Sequence, residues 1–401
     1  MRIGILSETK DPPDRRVPLT PAQCRELIEL YPDLEIVVQP SPIRCYSDRE
    51  YQEEGIAYRE DLSECQILMG VKEVDPAALL EGKTYLFFSH TAKEQPYNRG
   101  LLQEVIRKKI RLIDYEYLTG NSGQRVVAFG RWAGIVGAYN GLRGYGILTG
   151  RFDLPPASVC RDLGELRMHL ERVGTGKARI VITGGGRVAA GAMEVLDGAG
   201  IRQTDPQEYL DGEFDEAVYT QLDPWHYTYR KDGSAFDFSH FVTHPEMYGN
   251  GFLPYAVRSD IYMACHYWDP GAPVLLTRDD LQKRVRALQV IADISCDING
   301  PIASTLRAST IQDPYYGYDP QTGRETTPFK PGAITVMAVD NLPGELPRDA
   351  SADFGSAMMD EVIPELAGNR DTGMLHRACI TENGRLTESF AYLVDYLKNL
   401  R

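Results

Sequence analysis

The sequence predicts an α/β protein built from two doubly wound parallel-sheet domains facing a central cleft, and three observations carry that prediction. Strand-like segments in the first third of the chain are short and almost continuously apolar, as strands buried on both faces are. Mid-chain, the apolar run Arg179 to Thr183 enters Gly184-Gly185-Gly186-Arg187-Val188-Ala189 directly, and a helical pattern through Ala192, Val195 and Leu196 follows. With 401 residues the chain exceeds one ordinary core, so two domains are expected. Strand, glycine turn and helix make the Rossmann-like unit that offers backbone N–H groups to a dinucleotide pyrophosphate, with Gly184 for the tight turn, Gly186 for close approach and Ala189 for helix-to-strand packing.

In chain order, Ile3-Gly4-Ile5-Leu6 reads as a strand, and Thr20-Pro21 as a helix start with Thr20 at the N-cap and Pro21 at the first helical position. Ala22, Leu27, Ile28 and Leu30 give that helix its apolar face. Strands follow at 67–71, 85–88 and 110–113, and they release Lys72-Glu73, Ser89-His90 and Asp114-Tyr115-Glu116 at their carboxyl ends. An open α/β sheet builds its binding crevice there; polar loops explain one such ending easily and three less well. From Gly130 the pattern changes: Trp132 to Ala138 is a small-residue helix suited to close packing between domains. The glycine turn then opens a second parallel sheet, continued at 288–293 and 333–340. The stretch 206–280, rich in Tyr, His, Pro and Trp, has no clean period and reads as an insertion. Helical patterns return at 358–366 and 390–397, the last docking on the first domain. The expected division is 1–130 plus 345–401 as substrate and catalytic domain, and 131–344 as dinucleotide-binding domain.

A net charge of -14 speaks against nucleic acid or an anionic membrane as partner, since both need a basic footprint. The N-terminus lacks a signal-peptide apolar region and no run approaches a membrane span, so the expected location is cytoplasmic. The seven cysteines are scattered and read as reduced, packed thiols. His240 and His244 have helical spacing but Pro245 interrupts them, so the histidines read as structural and no metal is expected.

Nicotinamide chemistry needs groups that move protons and clamps for the substrate. Lys72 and His90 are the candidate proton carriers: an amine works near neutral pH only when burial or neighbouring cations lower its pKa, and a histidine titrates there already. A lone lysine at a strand end is ordinarily a solvated charge, so its neighbours must overturn that reading. Arg15, Arg16, Arg125 and Arg131 are candidate carboxylate forks, and Glu73 and Glu116 could hold a substrate ammonium or tune Lys72; the same groups could instead pair with each other.

These residues also carry a resemblance. Glu8-Thr9-Lys10, Arg16-x-x-Leu19-Thr20-Pro21, Gly70-Val71-Lys72, Phe87-Phe88-Ser89-His90-Thr91, the 112–116 and 125–130 segments, His244-Pro245-Glu246, Leu275 to Arg278, Asp293-Ile294-Ser295 and Asp340-Asn341-Leu342-Pro343 run collinearly along the chain. In these the chain resembles the lysine-2-oxoglutarate reductase and saccharopine dehydrogenase (L-lysine-forming) group, within the superfamily of alanine dehydrogenase and the transhydrogenase N-terminal region. The resemblance implies an oxidoreductase that condenses lysine with 2-oxoglutarate and reduces the imine to saccharopine with NAD(P)H, or runs in reverse. It implies Lys72 and His90 as catalytic residues, Arg16 and Arg125 as substrate-carboxylate arginines, Glu116 and Glu73 as acidic neighbours, and Asp340 beside the site. It also puts Asn341 and Leu342 near the nicotinamide; Gly184, Gly185, Gly186 and Arg187, read from the turn itself, are the other candidate cofactor-binding residues. For the ribose, Asp205 stands about twenty residues after the first glycine, the distance expected of an NAD-selecting acid, but Arg187 and Arg202 could meet a 2′-phosphate. NAD and NADP stay open, with the balance slightly towards NADP. Other readings are an alanine or opine dehydrogenase, or a non-catalytic NAD(P)-binding sensor. The partners expected are small amino-acid and 2-oxo-acid substrates, with a homo-oligomer left open.

Overall fold

Six short parallel strands make the body of the first sheet: β1 (Arg2–Ile5), β2 (Glu35–Val38), β3 (Ala57–Tyr58), β4 (Ile67–Met69), β5 (Thr84–Phe87) and β6 (Arg111–Asp114). They lie in the order β3-β2-β1-β4-β5-β6, so the order reverses between β1 and β4, the switch point where an open α/β sheet opens a crevice at its carboxyl ends. The computed structural model describes residues 1–398. These fall into two compact units, Met1–Phe129 with the residues from Pro347 onward, and Gly130–Leu346. The first core is what the apolar runs dictate, with Ile3, Ile5, Leu68, Met69, Leu86, Phe87, Leu112 and Ile113 fully buried. The Pro21–Leu30 helix starts as its sequence requires: the Gln23 N–H donates to Thr20 Oγ1 at 3.3 Å, and the Thr20 N–H to the Gln23 side chain at 3.0 Å.

The second unit opens on the Gly130–Thr149 helix and then the sheet built around β7 (Arg179–Thr183). Strands β8 (Arg202–Gln203) and β9 (Val218–Leu222) follow, then the two-stranded pair β10 (Thr228–Arg230) and β11 (Tyr248–Asn250). Strands β12 (Ile261–Ala264), β13 (Val290–Asp293), β14 (Tyr315–Asp319), β15 (Arg324–Thr326) and β16 (Ile334–Met337) complete it. The order is β15-β14-β16-β13-β12-β7-β9-β8, parallel except for β14 and β15. Two sheets of eight strands, each dominated by parallel pairs, establish the expected α/β class. Chain order is not sheet order beside β7, because β9, not β8, lies against it.

Two expectations change. The stretch 206–280 is not one insertion, because it contains β9 and β12, the two strands that flank β7. Val218-Tyr219-Thr220-Gln221-Leu222 is short and half polar, so its buried character does not show in a periodicity; the true excursion is the 223–260 segment carrying β10 and β11. The small residues of the Gly130–Thr149 helix also have a partner inside their own unit. A Cβ on Gly134 would lie 1.9 Å from the Val188 carbonyl oxygen and one on Gly191 would lie 2.1 Å from that of Arg131, so the backbone of this helix rides directly on the Arg187–Gly198 helix.

After Leu346 the chain returns to the first unit. The Pro347–Ala357 helix leads to β17 (Cys379–Glu382), which pairs antiparallel with β6, and to β18 (Arg385–Leu386) at the edge. Tyr392 and Tyr396 then donate hydroxyls to the Ala92 and Gln95 carbonyls at 3.2 and 2.5 Å, fixing the tail on the same unit.

Candidate active site

In the first unit, the carboxyl ends of β1, β4, β5 and β6 carry the ionisable residues. Past β1, the Glu8 carboxylate accepts the Val71 and Lys72 backbone N–H groups at 2.6 and 2.9 Å, pinning the turn after β4. There is no room to spare: a Cβ on Gly70 would lie 3.2 Å from Glu8 Oε1. Lys72 is thereby held in a desolvated position. Burial, with the Arg16 guanidinium nearby, brings its ammonium down to about 8, although Asp14 and Glu73 pull the other way. The structure thus overturns the reading of Lys72 as a solvated charge.

His90 sits at a left-handed backbone position, φ 51°, an uncommon one for a residue with a side chain and of the kind that gathers at functional sites. Its Nδ1 is 2.7 Å from Glu73 Oε1, while Lys10 Nζ donates to Glu73 Oε2 at 2.7 Å. Burial would raise the Glu73 carboxyl, but the hydrogen bonds from His90 and Lys10 outweigh it and hold the group at about 2. A permanent carboxylate therefore links an ammonium to the imidazole. Beneath them, Asp114 accepts from the Ser89 N–H and hydroxyl at 3.0 and 2.5 Å and from the Glu116 N–H at 2.8 Å, tying the ends of β5 and β6 together.

The arginines are not equivalent. Arg16 is 3% exposed, forks onto Asp14 at 3.0 and 2.6 Å, and lies 4.2 Å from the centre of the Phe129 ring. It is a buried ion pair and not the open carboxylate fork expected of it. Arg15 and Arg125 are exposed; Arg125, its side chain 50% accessible, donates to Glu116 at 2.6 Å, Lys93 reaches the same carboxylate at 3.2 Å, and Arg131 forks onto Glu194 at 3.0 and 2.9 Å. The structure so gathers Lys72, Glu73 and His90 into one cluster and Glu116 and Arg125 into a pair. Glu8, Lys10 and Asp14 complete this set without having been assigned roles, although applying the strand-end reading to β1 as well would have found them.

In the second unit the carboxyl end of β7 is the glycine turn. Gly184 has φ 104°, and a Cβ there would lie 2.6 Å from the Cys265 carbonyl oxygen. Gly186 caps the Arg187–Gly198 helix, and a Cβ on it would meet nothing within 4 Å, so the space before that helix is open. Thr183 Oγ1 bonds the Tyr262 hydroxyl and His266 Nδ1 at 2.9 and 2.8 Å, and burial brings His266 down to about 4. Asp205 lies elsewhere: it follows the edge strand β8, two strands from β7, and its carboxylate caps the Pro206–Asp211 helix. The position beside the turn is held by Asp223, at the tip of β9, where a Cβ on Gly185 would be 1.9 Å from Asp223 Oδ1. After β16, Asp340 is exposed, Asn341 is half-buried, and Leu342 is buried against the Gly137 face of the Gly130–Thr149 helix. Among the described residues no cluster of His, Cys, Asp or Glu is arranged to hold a metal, and no helix is long and apolar enough to cross a membrane.

Residues 4–136 match the family model of the alanine dehydrogenase/PNT N-terminal domain. Mouse mitochondrial alpha-aminoadipic semialdehyde synthase is 30% identical over 433 residues, covering 95% of this chain and 46% of the relative. The chain thus spans about half the length of the curated relatives that it matches at 30% identity. The saccharopine dehydrogenase [NAD(+), L-lysine-forming] of Yarrowia lipolytica is 25% identical, covering 90% of this chain and 92% of the relative. In fold, an L-alanine dehydrogenase superposes over the whole of both chains with a TM-score of 0.66 at 17% identity.

Proposed function

Since residues 4–136 belong to the alanine dehydrogenase/PNT N-terminal domain family and the chain is a homologue of alpha-aminoadipic semialdehyde synthases and saccharopine dehydrogenases, we propose that it is a nicotinamide-dependent oxidoreductase acting on a CH–NH bond, a lysine-2-oxoglutarate reductase that forms saccharopine. The carrying observation is Lys72, desolvated, held by Glu8 and brought down to about 8, beside the Lys10–Glu73–His90 chain. An amine so placed is partly neutral near pH 7 and can take a proton, which a solvated lysine cannot.

The reaction asks three things of these residues. The lysine ε-amine must lose a proton to attack the keto carbon of 2-oxoglutarate, and Lys72 accepts it. Water then leaves the carbinolamine, so its hydroxyl must gain a proton; His90 donates it, its ring held in place by the contact between Nδ1 and the Glu73 carboxylate. Finally the imine nitrogen takes a proton as its carbon is reduced, and Lys72 returns to it the proton accepted in the first step. Arg125, exposed and oriented by Glu116, is the group for a substrate carboxylate. The Gly184–Gly186 turn fits a dinucleotide on the structure's own terms: Gly184 is required by its backbone, and the space before the next helix is open. Gly184, Gly185, Gly186 and the start of the Arg187 helix would hold the pyrophosphate, with Asn341 and Leu342 towards the nicotinamide. When bound, the cofactor supplies or accepts the hydride.

One observation favours a second reading. With Arg16 forked onto Asp14, Arg125 is the accessible one of the two arginines that the resemblance implies as substrate clamps, and one clamp suits a smaller 2-oxo acid such as pyruvate in an alanine- or opine-type dehydrogenase. NADH and NADPH oxidation followed with 2-oxoglutarate or pyruvate against lysine, ammonia and other amines decides between them. Lysine-dependent turnover with 2-oxoglutarate is expected; turnover only with pyruvate would replace the first reading with the second, and none with any pair would reject both.

A further inference from the structure

The glycine turn of the second unit has a neighbour that decides which dinucleotide it suits. In a doubly wound sheet the acid that meets the adenosine ribose stands at the carboxyl end of the strand beside the first one. Counting residues leads to Asp205, but the fold inserts β8 and the Pro206–Asp211 helix at the sheet edge before β9 takes the adjacent place. Strand β9 is fastened to the turn itself. The Gly184 N–H donates to the Leu222 carbonyl at 2.8 Å, and Gln221 Nε2 donates to the Gly184 carbonyl at 2.8 Å. Asp223 follows, and its N–H donates to His226 Nδ1 at 3.0 Å, so that nitrogen carries no proton in this bond. Its carboxylate lies so close to Gly185 that a Cβ there would be 1.9 Å from Oδ1.

We propose that Asp223 accepts hydrogen bonds from the adenosine ribose hydroxyls and makes this chain selective for NAD(H) over NADP(H). The inference rests on reading the 184–186 turn as a dinucleotide site. A carboxylate at that position pairs with two hydroxyls and repels a 2′-phosphate, which carries the same sign of charge. Of the two arginines that could meet a 2′-phosphate, Arg187 opens the helix at the pyrophosphate end of the turn and Arg202 is committed elsewhere. Arg202 lies on the edge strand and pairs with Glu208 and Glu216 at 3.1 and 2.8 Å, so its share in the slight balance towards NADP is removed by its position.

The test is binding to the full chain without substrate, titrating NADH and NADPH by energy transfer from protein tryptophan to the reduced nicotinamide. NADH is expected to bind about 10- to 100-fold tighter, the range of one or two hydrogen bonds to a charged acceptor. Asp223→Ser should weaken NADH and bring the ratio close to one, at an unchanged thermal midpoint. Competition on the unaltered protein by ADP-ribose and by its 2′-phosphate repeats the comparison without any substitution, and ADP-ribose is expected to win. Equal affinities, tighter NADPH, or a ratio unmoved by Asp223→Ser would overturn the assignment of Asp223 and leave the dinucleotide reading standing. Binding of neither dinucleotide would overturn that reading and the assignment with it.

Discussion

At the scale of single residues, the proton chemistry proposed for the first unit rests on burial opposed by charge. Lys72 is lowered by desolvation and Arg16, and also by Lys10, while Asp14 and Glu73 resist. If neutral Lys72 is the form that takes the substrate proton, kcat/KM for reductive amination should rise with pH through about 8. Lys10→Met deletes a cation that depresses Lys72 and unmasks the Glu73 charge, and both effects raise the Lys72 pKa. The rising limb of the pH profile should therefore move to higher pH, and a limb that stays in place would remove Lys72 as its source. Lys72→Met should lower turnover at least about 100-fold, the usual contribution of a positioned acid or base, while the NADH dissociation constant stays within about twofold. Lys72, Glu73, His90 and Glu116 were legible because strand ends are easy to see in sequence. Glu8 stands three residues past β1, as Lys72 does past β4, and the same reading applied to β1 would have found it; the Arg16–Asp14 pairing is a matter of packing.

At the scale of elements, apolar continuity marked β1, β4, β5, β6, β13 and β16 to within a few residues, and the Thr20-Pro21 cap marked the first helix. Strands β9 and β12 were lost among tyrosines and polar residues, and with them the order of the second sheet, which local sequence does not encode. The glycines near the turn divide into two kinds that experiment can separate. Gly134→Ala drives a methyl into the Val188 carbonyl, so it should cost about 2 kcal/mol or more in urea unfolding. Gly186→Ala meets nothing within 4 Å, so stability should change by less than about 0.5 kcal/mol, the range of substitutions that disturb no packing. Yet its methyl would stand where a phosphate must approach, and NADH should bind at least about tenfold more weakly, a loss of some 1.4 kcal/mol. Equal binding by Gly186→Ala and the unaltered chain would put the pyrophosphate elsewhere.

At the scale of the whole molecule, the two units have separate cores and separate tasks in the proposed reaction. A ligand that binds only the native state stabilises it by about 2.7 kcal/mol at one hundred times its dissociation constant. Saturating NADH should therefore slow amide exchange most at 184–191 and 221–226; the largest protection at 67–114 instead would assign the cofactor to the wrong unit. The path of the chain between the units has a temporal side as well. Strand β17 closes the open edge of β6, and Thr381 Oγ1 donates to the Ile110 carbonyl at 2.9 Å across 271 residues of sequence. On a ribosome adding ~5–20 residues per second, the edge of β6 waits about 15–50 s for its partner, with the entire second unit emerging meanwhile. The second unit, contiguous in sequence, can thus finish folding before the first one is sealed, and until then the unpaired flank of β6 is an open template for aggregation.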